Sequence, residues 1–259
     1  MTTAVARPAV LDDWSYLPCP RGPGAQRLVC FPHAGGDVGT FAELAASVGP
    51  DVEVLAVRLP GRGGRFTDPL PGTFAELTSA VAAGIGPRLG PGAVFYGQSF
   101  GALLAYEVAV ALGRAGPAAV VAASAPAPAD WERTVLPVAA DPAAGAERLL
   151  AECGLTVPDD DAVRALVLAV LRADIAVGAT YRHRPGVPAR FAVHALAGAA
   201  DTGASPPGTW AGTTTGPFTS AVLPGGHLLV APGDPGPADL LRTLCLGARS
   251  DLHSDHHDR

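Results

Sequence analysis

From Ala93 to Ala109 the chain reads AVFYGQSFGALLAYEVA, a short apolar run that passes through a Gly-flanked serine into an Ala/Leu-rich segment of helical spacing. A strand, an abrupt turn and a helix are predicted there. A buried strand that hands directly to a helix belongs to a sheet with helices packed on its faces. The rest of the chain repeats that alternation. Strands are predicted at 27–31, 52–57, 93–96, 118–122, 191–196 and 218–223, and helices at 40–48, 73–89 and 100–112. The fold class is therefore α/β, a mainly parallel sheet covered on both faces.

The alternation breaks once. Between Ala127 and Pro188 no strand is predicted, while Pro142–Glu152 and Asp159–Thr180 read as helices, the second with Asp159 to Asp161 at its N-terminal end. A helical insertion near the carboxyl ends of the strands would make a lid, and ordinary peripheral packing is the alternative. With 259 residues and no linker, a single domain over 1–259 is expected, with 127–188 as the lid and 250–259 as a disordered tail. In that tail His253, His256 and His257 form no ordered metal site on this reading.

Composition narrows the partners. A net charge of −6 argues against nucleic acid or an anionic membrane, and all 18 basic residues are arginine. Cys19, Cys30, Cys153 and Cys245 lack metal-ligand spacing and read as reduced thiols. No signal peptide is recognisable at the N-terminus, and charged residues interrupt the one long apolar stretch. A cytoplasmic monomer without metal or cofactor is the expectation.

Ser99 sits where a strand-to-helix turn lifts a side chain above a sheet, and the helix start offers N–H groups to developing negative charge. A serine hydroxyl needs a base to take its proton and a carboxylate to orient that base. His227, in AVLPGGHLLVAP, follows a predicted strand and a pair of glycines. Asp201, in FAVHALAGAADTG, lies just beyond the preceding strand. Ser99, Asp201, His227 is the chain order of the α/β-hydrolase fold. Asp130, after the strand at 118–122, is the alternative acid; His194 reads as a strand histidine, and His183 lies in the basic YRHRPG segment. The backbone N–H groups of Phe100 and of Ala34, in LVCFPHAGGDVGTF, are the candidate oxyanion donors, with His33 ordering that loop.

Five segments in order, FPHAGG, LPGRGGRF, GQSFGA, LRADIAVGATYRHRPG and LPGGHLLV, resemble the type II thioesterases of polyketide synthase and nonribosomal peptide synthetase pathways. The resemblance covers about Phe31 to Leu246. It implies an enzyme that cleaves acyl or aminoacyl thioesters from the phosphopantetheine arm of a carrier protein. Ser99 would be its nucleophile, His227 the base and Asp201 the orienting acid, with the Ala34 and Phe100 N–H groups as the oxyanion hole. Gln98 and Phe100 depart from the family, which commonly has His and Met there, and Thr202 and Gly203 follow the acid where a further acidic residue or Pro is common. Because carriers are acidic and the arm bears a phosphate, Arg58, Arg62, Arg65, Arg182 and Arg184 are candidate docking residues. Transfer of the acyl group to an acceptor other than water, and a catalytically weak carrier-binding scaffold, are the alternative functions.

Overall fold

The computed structural model describes residues 7–152, 159–186, 188–201 and 205–254. Its sheet contains β1 (Ala9–Val10), β2 (Ser15–Leu17), β3 (Gln26–Phe31), β4 (Val52–Val57), β5 (Val94–Gln98), β6 (Ala119–Ala123), β7 (Ala192–Gly198) and β8 (Phe218–Leu223) in the spatial order β1-β2-β4-β3-β5-β6-β7-β8. The pairs β1/β2 and β2/β4 are antiparallel, and the pairs from β4 through β8 are parallel. The predicted α/β sheet is present. Six of its strands fall within two residues of their expected bounds. The sequence reading missed the short β1–β2 hairpin, which extends one edge.

Side-chain alternation builds a core on each face. From β3, Val29 and Phe31 point to one side, where α2 (Phe74–Ile85) and α3 (Phe100–Leu112) contribute Leu77, Val81, Leu103 and Val108. Leu28 and Cys30 point to the other, where α1 (Ala42–Ser47) and α7 (Ala238–Ser254) supply Leu44, Leu241 and Cys245. The central strands are apolar on both faces because helices cover both. Burial pushes the Cys245 thiol up to about 12 and that of Cys30 well above its usual range, so neither supplies a thiolate at neutral pH. Cys153 lies outside the described residues.

Local signals set the helix ends. Thr73 and Glu76 form a reciprocal capping box at the start of α2: the Thr73 hydroxyl accepts from the Glu76 N–H at 3.2 Å, and the Glu76 carboxylate accepts from the Thr73 N–H at 3.1 Å. Among the described residues, three α-helices lie between β6 and β7: α4 (Trp131–Ala139), α5 (Pro142–Glu152) and α6 (Asp161–Ala179). Asp160 caps α6 by accepting from Ala162 and Val163 N–H. Ala146, Leu150, Leu168, Leu171 and Ile175 give the insertion its own small core. Helix α4 was not expected from sequence because Pro137 lies inside it. Helix α7 runs through Ser254, into the segment expected to be a disordered tail; residues 255–259 lie outside the described residues.

Candidate active site

Ser99 joins β5 to α3 with φ 55° and ψ −124°, a left-handed backbone that non-glycine residues seldom adopt. Such local strain persists only where the surroundings over-determine it. Two neighbours do so. A Cβ on Gly97 would lie 2.1 Å from the Gly101 carbonyl oxygen, and a Cβ on Gly101 would lie 2.3 Å from that of Phe31. The turn can therefore close only with glycine at both places. The Ser99 N–H donates to the Ala123 carbonyl at 2.9 Å, fixing the turn to the neighbouring strand.

Asp201 lies in the loop just beyond β7, and a similarly tight crossing brings His227 beside it. A Cβ on Gly198 would lie 2.0 Å from the Gly226 carbonyl oxygen, and the Ala200 N–H donates to Gly225 at 2.9 Å. Pressed together this way, His227 Nδ1 and Asp201 Oδ2 lie 2.8 Å apart, both largely shielded from solvent. The pairing assigns the proton to Nδ1 and leaves Nε2 as the basic nitrogen. Nε2 is buried without a hydrogen-bond partner, and no hydrogen bond joins it to Ser99 in this structure. Ser99, Asp201 and His227 nevertheless line one cavity of about 550 Å³. Catalytic hydrogen bonds are often long before substrate binds.

Asp130 serves elsewhere: it starts α4 and pairs with Arg133 at 3.0 Å. His194 bonds Thr219 between β7 and β8. His183 is exposed, its backbone N–H directed to Glu132.

Phe100 is the first residue of α3, so its N–H is among the four that have no intrahelical acceptor. Ala34 lines the same cavity, in a tight turn where the Gly36 N–H donates to the His33 carbonyl. The His33 ring folds over Gly36, where an added Cβ would lie 2.8 Å from it. Burial, then the neighbouring His227 and Arg62, lower the His33 pKa to about 4, so it is neutral at pH 7. It orders the loop as an uncharged residue.

The remaining cavity wall is mostly apolar and comes from the insertion, with Trp131, Val135, Val138, Leu149 and Ile175. Phe100 packs edge-on against Phe74 and beside Trp131, whose indole N–H donates to the Gly178 carbonyl at 3.0 Å. The bulk of Phe100 thus closes one side of the cavity. Gln98 is wholly buried beneath the turn. Its amide donates to the Val230 carbonyl at 2.6 Å and accepts from the Val230 N–H at 3.1 Å, tying the loop after His227 to the turn that carries Ser99. Sequence reading noted Gln98 without a partner, because Val230 is distant in the chain. Thr202 and Gly203 lie outside the described residues.

The docking arginines divide. Arg62 is a correction: only 4% exposed, it is spent on a buried ion pair with Asp174 and cannot form a landing surface. Arg58 donates to the Asp12 carbonyl at 2.7 Å. Arg65 pairs with Asp68 and lies 4.3 Å over the Trp14 ring. Both hold the loop to the β1–β2 hairpin. Arg182 and Arg184 are exposed, although Arg182 also donates to the Ala179 and Tyr181 carbonyls. Among the described residues no His, Cys, Asp and Glu cluster could hold a metal ion, and no helix is long and apolar enough to cross a membrane.

Residues 26–238 match the thioesterase domain family. The chain is 34% identical over 232 residues to thioesterase PikA5 of Streptomyces venezuelae, covering 85% of this chain and 82% of that protein. Among solved structures it is similar to the RedJ thioesterase of the prodiginine biosynthetic pathway in Streptomyces coelicolor, with a TM-score of 0.76, 34% identity and coverage of 88% of each chain. It also resembles BorB, a type II thioesterase from the borrelidin biosynthetic cluster, with a TM-score of 0.71, 34% identity, and coverage of 85% of this chain and 90% of that one.

Proposed function

Since the chain belongs to the thioesterase domain family, as a type II thioesterase and serine hydrolase of the α/β-hydrolase fold, we propose that Ser99, His227 and Asp201 are its triad and that its substrates are acyl or aminoacyl thioesters on carrier proteins. The observation that carries the proposal is the 2.8 Å His227–Asp201 pair in one cavity with a serine held at positive φ. Nothing in ordinary packing requires that combination.

In the proposed cycle His227 Nε2 takes the Ser99 hydroxyl proton as Oγ attacks the thioester carbon, and Asp201 stabilises the resulting imidazolium. The Ala34 and Phe100 N–H groups receive the oxyanion. Collapse breaks the carbon–sulfur bond, and His227 returns the proton to the departing pantetheine thiolate. Water, deprotonated by His227, then attacks the Ser99 ester; the released products are the free acid and the regenerated serine. The triad, the oxyanion donors and water suffice for every step. Helices α4 to α6 act as the lid, and their apolar side chains receive the acyl group.

A carrier-bound thioester should be a better substrate than the same acyl group on a small thiol, because remote contacts help position the carbonyl. Steady-state rates on an acyl-pantetheinyl carrier and on its N-acetylcysteamine thioester test this. Equal kcat/KM values would remove the carrier from the proposal and leave a general thioesterase. Free acid as the product supports hydrolysis; its replacement by an ester or amide of an added acceptor would favour acyl transfer.

A further inference from the structure

The loop that offers the Ala34 N–H is held from the inserted helices by one carboxylate. Asp174, on α6, is fully buried, and its Oδ2 accepts from the Gly35 N–H at 2.7 Å. Arg62, from the loop after β4, meets the same carboxylate with two nitrogens, at 2.7 Å to Oδ2 and 2.5 Å to Oδ1. Its Nη1 also donates to the Gly36 carbonyl at 3.1 Å, and its Nε to the Pro60 carbonyl at 3.3 Å. Two elements far apart in sequence thus bind both sides of the Gly35–Gly36 peptide. Leu171, one turn earlier on α6, sits against Gly35, where an added Cβ would lie 3.5 Å from its side chain.

We propose that Asp174 and Arg62 are positioning residues for catalysis: they fix the 33–36 turn so that the Ala34 N–H points at the developing oxyanion. This rests on the triad and oxyanion-hole reading above. The Gly35 N–H belongs to the Ala34–Gly35 peptide, which meets the peptide carrying the Ala34 N–H at the Ala34 Cα, so holding the first plane through Asp174 restricts the orientation of the second. An oxyanion donor is effective only when aimed in advance at the charge it will meet. Two facts separate this role from plain stabilisation. A buried ion pair contributes little net stability compared with apolar residues of similar size, which makes fold maintenance a poor reason for one here. Asp174, though fully buried, also borders the cavity that Ser99, Asp201 and His227 line, so the pair lies at the edge of the substrate space and not in the remote core. Seating of α6 and formation of the oxyanion hole are consequently one event, and displacing the helix disables the hole.

Two double variants test the role: D174L/R62M removes the ion pair and the acceptor for Gly35, whereas D174N/R62M removes the ion pair but keeps an acceptor. Turnover of an acyl N-acetylcysteamine thioester and inhibition by an alkylboronic acid, whose serine adduct places an oxygen in the hole, are measured for both. For D174L/R62M kcat should fall ~10²-fold with KM changed less than ~3-fold, and boronate affinity should weaken by about the same factor as kcat. D174N/R62M should recover most of the lost kcat. Equal kcat in the two variants, or a loss confined to KM, overturns the proposal. Should D174L/R62M not fold, D174E decides, since it keeps the charge and shifts the carboxylate by roughly one bond; kcat should drop at least ~10-fold without loss of cooperative unfolding, and wild-type kcat overturns the proposal. A fluorophosphonate labels Ser99 in the wild type if the underlying triad reading is right. Labelling at another residue overturns that reading, whereas Ser99 labelling with unaltered kcat in D174L/R62M overturns the positioning role alone.

Discussion

Mild acid should destabilise this protein through His33. The side chain is 6% exposed, its Nδ1 has no hydrogen-bond partner, and Arg62 and His227 both oppose a positive charge on it. Its pKa of about 4 in the folded state compares with 6.5 in an unfolded chain. Between these values the unfolded chain binds the extra proton and the folded one does not, so stability falls as pH drops from about 6.5 towards about 4. For a single site with these pKa values the loss is about 2 kcal/mol at pH 5 relative to pH 7.5, and approaches about 3 kcal/mol below pH 4. Urea unfolding of the wild type and of H33Q from pH 7.5 to pH 5 isolates this contribution, because other titrating groups are common to both chains. The wild type should lose about 2 kcal/mol more than the variant across that range. Parallel stability curves, or a steeper loss in H33Q, would refute the assignment of His33 as a buried neutral residue.

Three further outcomes follow from the geometry. D201N should lower kcat by ~10³ to 10⁴ by withdrawing the carboxylate from His227 Nδ1, whereas D130N should stay within ~2-fold of wild type because its partner is the surface residue Arg133; steady-state turnover ranks the two. G101A should cost about 3 kcal/mol or more, or prevent folding, since its Cβ would lie 2.3 Å and 2.5 Å from two backbone carbonyl oxygens, and thermal unfolding reads the loss directly. R182A/R184A should lower kcat/KM several-fold on an acyl carrier while sparing a small thioester. Its remaining carrier activity should be less sensitive to added salt, because exposed charges are screened over ~10 Å at 0.1 M.

The sequence made the central sheet legible because its parallel strands are buried on both faces and read as apolar runs between turn residues. The edge hairpin did not stand out, since β1 has two residues and β2 three, too few for a pattern. Pro137 hid α4 by looking like a break. The spacing Ala238, Leu241, Cys245 marks the buried face of α7, but the polar stretch SDLHSDHHDR that follows dilutes the helical period at that end of the chain. Ser99, Asp201 and His227 each stand beside a strand end in a motif of its own, so the sequence could nominate them. Arg62 could not be understood in that way: its partner lies 112 positions along the chain, and local spacing does not distinguish a buried ion-pairing arginine from a solvated one. Gln98 and Val230, 132 positions apart, were hidden for the same reason.

The most direct measurement follows one acyl-pantetheinyl carrier and the enzyme together by rapid-quench intact-mass spectrometry. The wild type should gain the mass of the acyl group on Ser99 as free-thiol carrier appears, followed by release of the acid. S99A should leave the carrier acylated, with hydrolysis reduced by ~10⁴ or more. Release of acid by S99A at the wild-type rate, or an acyl adduct mapped to another residue, would contradict the account.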